Sequence, residues 1–188
     1  MNYKIVLASN SPRRRELLKG LDIDFEIRVI DGIDETHPAG MPVEEIPAYL
    51  AHLKADAYIQ SMRDDELIIT ADTVVIIDNQ ILEKPANESE AIKMLKILSG
   101  RKHKVITAVV LTAKDRQKAF SVSSIVDFEE LGEEEIVYYV EKYRPFDKAG
   151  AYGIQEWIGY IGVCGIEGSF YNVMGLPVQR LYRELKAF

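Results

Sequence analysis

The chain has 188 residues, of which 47% are hydrophobic and 28% charged, and its formal net charge is −7. This composition is typical of a globular protein and excludes a disordered chain. The negative charge also argues against non-specific nucleic-acid binding, which needs a broad basic surface, so we expect no nucleic-acid partner. An anionic ligand would therefore need a local basic cluster within an acidic protein.

The N-terminal residues run directly into an apolar stretch and lack the pattern of a signal or transit peptide. No apolar segment approaches the roughly 20 residues that a membrane-spanning helix needs. We therefore expect a cytoplasmic protein with no membrane partner. The only cysteine, Cys164, excludes an intramolecular disulfide, and its apolar surroundings favour a buried structural thiol over a nucleophile.

A strand over residues 3–9 and a helix over residues 11–20 are predicted at the start of the chain. Ser11 is a residue type that caps helices, and Pro12 then falls at the first helical position, where its missing N–H costs nothing. This strand–turn–helix unit is the first feature that indicates a function, because of the residues that follow the proline.

Three consecutive arginines, Arg13, Arg14 and Arg15, occupy the first turn of the predicted helix. A helix start carries partial positive charge and favours anions, so the cluster indicates either a bound phosphate or a solvated basic patch. Helical periodicity places Arg14 on the same face as Leu17 and Leu18, toward the body of the protein. We expect Arg15 to be the solvated member of the three.

A second strand is predicted over residues 25–30, and a polar loop follows over residues 31–42. The acidic residues of the loop, among them Glu35, are either solvated side chains or metal ligands. The next helix is predicted over residues 46–62, with Lys54 beside its apolar stripe. Taken alone, Lys54 would be a lysine whose alkyl chain covers apolar surface.

The β-branched run over residues 66–77 predicts a buried strand that Asp72 interrupts. A carboxylate in such a run either loses its hydration without compensation or takes part in chemistry. Because the loss of hydration costs free energy, we favour metal binding or water activation by Asp72. Thr73 follows it directly. Lys84 is predicted in a loop at the end of the next short strand.

The second half of the chain has the same alternating character, with predicted helices over 87–99, 133–143 and 177–187 and predicted strands over 103–113, 118–129 and 161–166. His103 is interpreted as a structural or solvent-facing residue. Two glycine-rich stretches allow close backbone approach to a ligand or a strand. The order of elements predicts an α/β protein with a mixed sheet, as a single domain over residues 1–188.

Cations and carboxylates lie on separate predicted segments. The cations are Arg13, Arg14, Lys54 and Lys84, and the carboxylates are Glu35 and Asp72. Cations of this kind neutralise phosphate oxygens, carboxylates hold Mg²⁺ or Mn²⁺, and one carboxylate can deprotonate water. Neither a Walker A motif nor a dinucleotide-binding glycine fingerprint is present. The set is suited to a phosphate chain bound with a divalent cation.

Six segments resemble the Maf family of nucleoside triphosphate pyrophosphatases, once described as septum-formation inhibitors: LASNSPRR (7–14), ADTVV (71–75), EKP (83–85), LSG (98–100) with His103, DKAGAYGIQ (147–155) and GSFYNVMGLP (168–177). They occur in the family's order from end to end. The resemblance implies a twisted mixed sheet flanked by helices, with two lobes around a central cleft, as in inosine-triphosphatase-like proteins. Arg15 is an additional arginine and Phe170 replaces the more usual tyrosine.

The resemblance also implies the roles of individual residues. Asp72 would be the general base on the attacking water, and Glu35 would share a divalent metal, Mg²⁺ or Mn²⁺, with it. The triphosphate would be contacted by Ser11, Arg13, Arg14, Lys54 and Lys84.

Arg14, Thr73 and Gln155 match the positions that mark the dTTP/UTP branch of the family, and the Gln155 amide can pair with a pyrimidine edge. The implied reaction is hydrolysis of dTTP and UTP, or of modified pyrimidine triphosphates, to the monophosphate and pyrophosphate, a house-cleaning role in nucleotide metabolism. The alternative is a nucleotide-binding regulator of cell division without turnover. A homodimer is left open.

Overall fold

A computed structural model describes residues 3–188, and residues 1–2 lie outside the described part. The described chain alternates strands and helices. Its strands are β1 (Lys4–Leu7), β2 (Phe25–Ile27), β3 (Glu66–Ile77), β4 (Gln80–Leu82), β5 (Lys102–Thr112), β6 (Gln117–Phe128) and β7 (Val163–Glu167). Its α-helices are α1 (Pro12–Lys19), α2 (Ile46–Asp56), α3 (Glu88–Leu98), α4 (Glu133–Tyr143), α5 (Trp157–Gly162), α6 (Phe170–Met174) and α7 (Val178–Ala187). A short 3-10 helix covers Ala149–Ala151.

The strands form a seven-stranded sheet in the order β2-β1-β3-β5-β6-β7, with β4 paired to β3. β1 is parallel to both β2 and β3, whereas β4 is antiparallel to β3 and β7 is antiparallel to β6. The predicted mixed sheet with flanking helices is therefore confirmed. A two-residue turn joins β3 to β4, and its residues Asp78 and Asn79 both have positive φ, as a tight hairpin turn requires.

The chain divides into two compact units, which we call the first unit and the second unit. Among the described residues, the first unit comprises residues 3–73, 107–122 and 175–188, and the second comprises residues 74–106 and 123–174. Strands β3, β5 and β6 contribute residues to both units. The single domain over the whole chain stays a prediction.

Each unit has its own apolar core. In the first unit, one cluster joins β1 and β3 to the turns after α2, and a second packs alanines of α2 on alanine and valine of β5. In the second unit, the far end of β3 packs with the apolar faces of α3 and α4. The apolar face of α3 consists of Ala91, Leu95 and Leu98, which are fully buried. Burial of these stripes is what holds the helices beside the sheet.

The register of β1 against β3 positions the segment that carries the arginines. Leu7, the last residue of β1, pairs with Ile69, so β3 continues for eight further residues beyond the end of its parallel neighbour. The chain leaves β1 there and enters α1. Ser11 caps α1 by accepting a hydrogen bond from the backbone N–H of Arg14 at 3.4 Å, and Pro12 is the first helical residue, as predicted.

Four local predictions were wrong in extent or in environment. The strand predicted over 25–30 ends at Ile27. The helix predicted over 46–62 ends at Asp56 and continues only as turns. The strand predicted over 161–166 begins at Val163, because the two residues before it end α5. Cys164 is exposed rather than buried, because it lies on β7, the last strand in the sheet order, and its Sγ donates to the Asp127 carbonyl at 3.4 Å.

Within residues 3–188, no helix combines the length and the apolar character that crossing a membrane would require.

Candidate functional site

Arg14 connects three segments of the first unit. Its Nη1 donates to the Ala71 carbonyl at 2.9 Å, its Nε donates to the Gly175 carbonyl at 2.8 Å, and its Nη2 donates to Thr73 Oγ1 at 3.0 Å. The prediction that Arg14 points into the protein is confirmed. The guanidinium therefore fixes the start of α1 to the extension of β3 and to the turn before α7, at the carboxyl end of the parallel strand β1.

Two residues that sequence reasoning missed complete this connection. Thr107, fully buried on β5, lies with its hydroxyl 2.9 Å from Thr73 Oγ1. Gly175 has a φ of 115°, and a Cβ at this position would lie 3.6 Å from Thr73 Oγ1. The positive φ, rather than crowding, is what requires glycine there. For Gly175, the glycine-rich segment GSFYNVMGLP (168–177) was the signal in the sequence.

The charged groups around Arg14 share one electrostatic environment. Burial lowers the pKa of Arg14, the carboxylates of Asp72 and Glu35 raise it, and the neighbouring Arg13 lowers it. An arginine remains protonated at neutral pH even so. The first unit thus places two cations and two carboxylates close enough to affect one another.

Lys54 joins the two candidate carboxylates. It lies in the last turn of α2, where a cation complements the helix dipole, and its Nζ is 2.7 Å from Asp72 Oδ1 and 2.8 Å from Glu35 Oε2. The side chains of Lys54 and Asp72 are 15% and 13% exposed, and that of Glu35 is 50% exposed. The ion pair offsets the loss of hydration that Asp72 incurs in the middle of β3.

The described residues contain no group of three or more histidine, cysteine, aspartate or glutamate side chains that could hold a metal ion. The two carboxylates that contact the Lys54 ammonium nevertheless fit a Mg²⁺ or Mn²⁺ site in which the protein supplies only two ligands. Mg²⁺ is commonly held by one or two carboxylates, while water and substrate phosphates supply the other oxygens. Asp72 and Glu35 would provide the hard oxygen ligands of such a site.

The remaining residues at the start of α1 have different surroundings. The hydroxyl of Ser11 serves as the helix cap, and Arg13 is half-buried beside Arg14. Arg15 is half-buried rather than fully solvated, because it turns back and donates to the Ser9 carbonyl and to Asn10 Oδ1 at 3.4 and 3.3 Å. Arg15 thus stabilises the turn before α1.

In the second unit, Lys84 is exposed and has no hydrogen-bond or salt-bridge partner within residues 3–188. The backbone N–H of Gly150 donates to the carbonyl of Glu83 at 3.2 Å, so Lys84 lies next to the first glycine-rich stretch. Gly150 has a φ of 70°, and a Cβ there would lie 3.0 Å from the side chain of Val75. This position therefore requires glycine, and the close approach predicted for the stretch is a strand contact.

Gln155 lies at the end of the same stretch. Its Oε1 is buried and has no hydrogen-bond partner in the described structure. A buried amide oxygen without a partner costs free energy of about 1–3 kcal/mol, and a donor on a ligand would recover it. Gln155 is thus suited to accept a hydrogen bond from a bound molecule.

His103 is a structural residue, one of the two alternatives that the sequence left open. It is 3% exposed, its Nε2 lies 2.7 Å from the Tyr152 hydroxyl, and its ring meets Phe128 edge to face. Burial lowers the pKa of His103 to about 4, so the ring is neutral at physiological pH.

The structure therefore distributes the predicted site residues over both units. The first unit contains Ser11, Arg13, Arg14, Glu35, Lys54, Asp72 and Thr73, and the second contains Lys84 and Gln155. The direct associations within the first unit include Arg14 with Ser11 and Thr73, and Lys54 with Glu35 and Asp72.

Residues 4–188 match the sequence model of a family described as "Maf-like protein". A protein of Parabacteroides distasonis named dTTP/UTP pyrophosphatase is 63% identical over 99% of this chain and 96% of its own length. Proteins with the same name from Bacteroides thetaiotaomicron and Flavobacterium johnsoniae are 56% and 45% identical, over 98% and 97% of this chain and 95% and 94% of their own lengths.

Among solved structures, the Staphylococcus aureus Ham1 protein aligns with a TM-score of 0.55 at 18% identity, covering 96% of this chain and 99% of its own. A HAM1 protein from Coxiella burnetii aligns with a TM-score of 0.50 at 18% identity, covering 99% of this chain and 100% of its own. Identities this low support the α/β fold and say nothing of activity.

Proposed function

Because this chain belongs to the Maf-like protein family, we propose that it is a pyrophosphatase that hydrolyses dTTP and UTP to the nucleoside monophosphate and pyrophosphate. The relatives that carry this activity in their names are 45% to 63% identical to it along nearly its whole length. The structural observation that carries the proposal is the ammonium of Lys54 joined to the carboxylates of Asp72 and Glu35, beside the arginines of α1.

Asp72 is the proposed general base. Its carboxylate accepts a proton from a water molecule as the water oxygen attacks the α-phosphorus, and the bond between the α-phosphorus and the bridging oxygen to the β-phosphorus breaks. Lys54 orients the carboxylate through the contact at 2.7 Å. Because the side chain of Asp72 is 13% exposed, the pair lies in surroundings where electrostatic interactions are stronger than in water.

The cations of the chain bind the phosphate oxygens and stabilise the charge that develops on the leaving pyrophosphate. We assign this role to Arg13, Lys54 and Lys84. Arg14, whose guanidinium is held in place by its protein acceptors, and Ser11, at the start of α1, also contact the triphosphate in this proposal. A divalent cation held by Asp72 and Glu35 would supply further neutralisation of the phosphate oxygens when bound.

Gln155 is the proposed contact to the base. Thymine and uracil both carry an N3–H donor between two carbonyl acceptors, and a side-chain amide can accept from the first and donate to one of the others. The buried Oε1 without a protein partner supports this role. Cytosine has no N3–H, so this pairing also predicts that dCTP and CTP are poor substrates.

The proposal is tested by incubating the protein with Mg²⁺ and a panel of dTTP, UTP, dCTP, dATP and modified pyrimidine triphosphates, with separate detection of pyrophosphate and orthophosphate. We expect pyrophosphate from dTTP and UTP, loss of turnover with a chelator, and recovery when Mg²⁺ or Mn²⁺ is restored. Orthophosphate as the product would identify a different phosphohydrolase. Binding of dTTP without release of either anion would instead support a nucleotide-binding regulator.

A further inference from the structure

The loop that carries Gln155 is held at both ends by one buried tyrosine. The backbone N–H of Gly153 donates to the Tyr139 hydroxyl at 3.0 Å, and this hydroxyl donates to Glu156 Oε2. The N–H of Glu156 donates in turn to the Gly153 carbonyl at 2.9 Å. The residues before and after the Ile154–Gln155 pair are therefore fixed to the same point on α4.

The second carboxylate oxygen of Glu156 is also held. Lys148 Nζ lies 3.1 Å from Glu156 Oε1 and 2.8 Å from Asp147 Oδ1, and the Lys148 side chain is 9% exposed. Tyr139 itself is fully buried. Burial and the charge of Glu156 raise the pKa of Tyr139 far above its ordinary value, so the hydroxyl keeps its proton across the whole range of assay pH.

Gly153 also lies close to the side-chain amide of Gln155. A Cβ at position 153 would lie 2.8 Å from Glu156 Cδ and 3.0 Å from Gln155 Nε2. The bare backbone of Gly153 is therefore what allows the Gln155 amide to lie against its own loop. The amide, whose Oε1 lacks a donor partner, thus lies against Gly153 in a loop that is held at both ends.

We propose that Tyr139 is a positioning residue that sets the base preference of the protein, acting through Gly153 and Glu156 to hold the Gln155 amide ready for a pyrimidine. This inference rests on the proposed function. A pre-organised amide loses less conformational entropy when the base binds, so the network contributes to affinity and discrimination. It contains none of the residues proposed to act on the phosphates, and so we expect little effect on the chemical step.

The test uses Tyr139→Phe, which removes one oxygen atom and keeps the ring stacked on Tyr143 at a centroid distance of 5.1 Å. Loss of the two hydrogen bonds should raise the KM for dTTP and UTP about tenfold and lower their preference over dCTP by a similar factor. The kcat should stay within about twofold of the wild type, as expected when uniform binding is lost. Tyr143→Phe, the same change on the same helix, is the matched control and should behave as the wild type.

Gly153→Ala is the second variant. It displaces the Gln155 amide without touching Tyr139, so it should give the same rise in KM and the same loss of preference, and it tests the inference if Tyr139→Phe does not fold. Wild-type KM and preference in the folded variants, or a fall in kcat with the preference kept, would overturn the inference.

Equilibrium binding of dTTP and dCTP separates the two proposals. A wild type that binds dTTP without releasing pyrophosphate would contradict the proposed function alone. In that case an unchanged ratio of dTTP to dCTP affinity in Tyr139→Phe and Gly153→Ala would also overturn the inference, and a loss of about tenfold in that ratio would support it.

Discussion

Both units of this chain bury ion pairs, but they differ in the buried polar atoms that are left without a hydrogen-bond partner. The buried or half-buried ion pairs are Lys54 with Asp72 and Arg28 with Glu66 in the first unit, and Lys148 with Glu156 in the second. In the second unit His103 and Gln155 carry uncharged atoms that are buried without a partner in the described structure. Charged groups suit a phosphate chain and neutral hydrogen-bonding atoms suit a nucleobase, and under the proposed function Lys54 serves the first and Gln155 the second.

The largest expected effect comes from the carboxylate of the first unit. Asp72→Asn keeps the size of the side chain but removes its basicity, so we expect turnover of dTTP to fall at least a thousandfold while dTTP binding stays within about threefold. Pyrophosphate release and equilibrium binding measure the two quantities. Asp64→Asn, at an exposed aspartate, is the control. A turnover equal to the wild type in Asp72→Asn would remove Asp72 from the role of base.

The ion pair and the neutral histidine should lose their stabilising effects in different pH ranges. Hydrogen bonds from Arg28 at 2.5 and 2.9 Å lower the pKa of Glu66 from 4.5 to about 2, so this carboxylate stabilises the fold fully above pH 4.5 and the effect is lost as the pH falls toward 2. Burial lowers the pKa of His103 from 6.5 to about 4, so its contribution is complete above pH 6.5 and is lost as the pH falls toward 4. Each shift corresponds to about 3 kcal/mol of unfolding free energy.

Urea unfolding as a function of pH separates the two contributions. Glu66→Gln should weaken the pH dependence of the unfolding free energy between pH 4.5 and 2, where Asp65 and Glu184, whose pKa values are also lowered, still titrate. His103→Gln should weaken it between pH 6.5 and 4. Identical pH profiles for the two variants would contradict the assignment of either group.

A smaller loss is expected from the cation of the same cluster. Lys54→Met removes the ammonium and leaves two carboxylates without it, so we expect kcat/KM for dTTP to fall about thirtyfold, through weaker phosphate binding and a misplaced Asp72. Lys19→Met, at an exposed lysine of α1, should have no effect on steady-state kinetics. Equal activities for the two variants would mean that Lys54 serves only to stabilise the fold.

The smallest effect concerns the neutral group of the second unit. Gln155→Ala should lower the preference for dTTP over dCTP about tenfold, because the lost amide hydrogen bonds are worth about 1–2 kcal/mol. Gln60→Ala, at an exposed glutamine, is the control. A preference that survives in Gln155→Ala would place base recognition on other residues.

Much of the fold follows from local sequence signals. The Ser11 cap, the run over Glu66–Ile77 and the acidic start of α4 predicted those elements because each depends on neighbours a few residues away. The exposure of Cys164 could not be predicted, because the sequence of a strand does not show which strand lies beside it in the sheet. The end of α2 also differed, since Tyr58 turns inward and its hydroxyl donates to the Arg28 carbonyl at 2.9 Å.

The residues of the candidate site also divide into those that could be predicted from the sequence and those that could not. Asp72 was predicted from the cost of a carboxylate inside an apolar strand, and Arg14 from helical spacing. Thr107 and Tyr139 could not be predicted, because each occupies an ordinary position in the apolar pattern of its element and acts through a hydroxyl whose partner is distant in sequence. Patterns of hydrophobicity identify which side chains are buried and leave open which of them are bonded to one another.

The bond from Arg14 to the Gly175 carbonyl joins residues that lie 161 positions apart. At the usual speed of translation, the ribosome needs roughly 10 to 30 seconds to add that many residues, so the Gly175 carbonyl becomes available long after the other two acceptors of Arg14, Ala71 and Thr73. A chain that stops earlier already contains Asp72 and Lys54 but has no carbonyl at residue 175 to fix the guanidinium. The full set of three side-chain hydrogen bonds of Arg14 therefore requires synthesis to have passed residue 175.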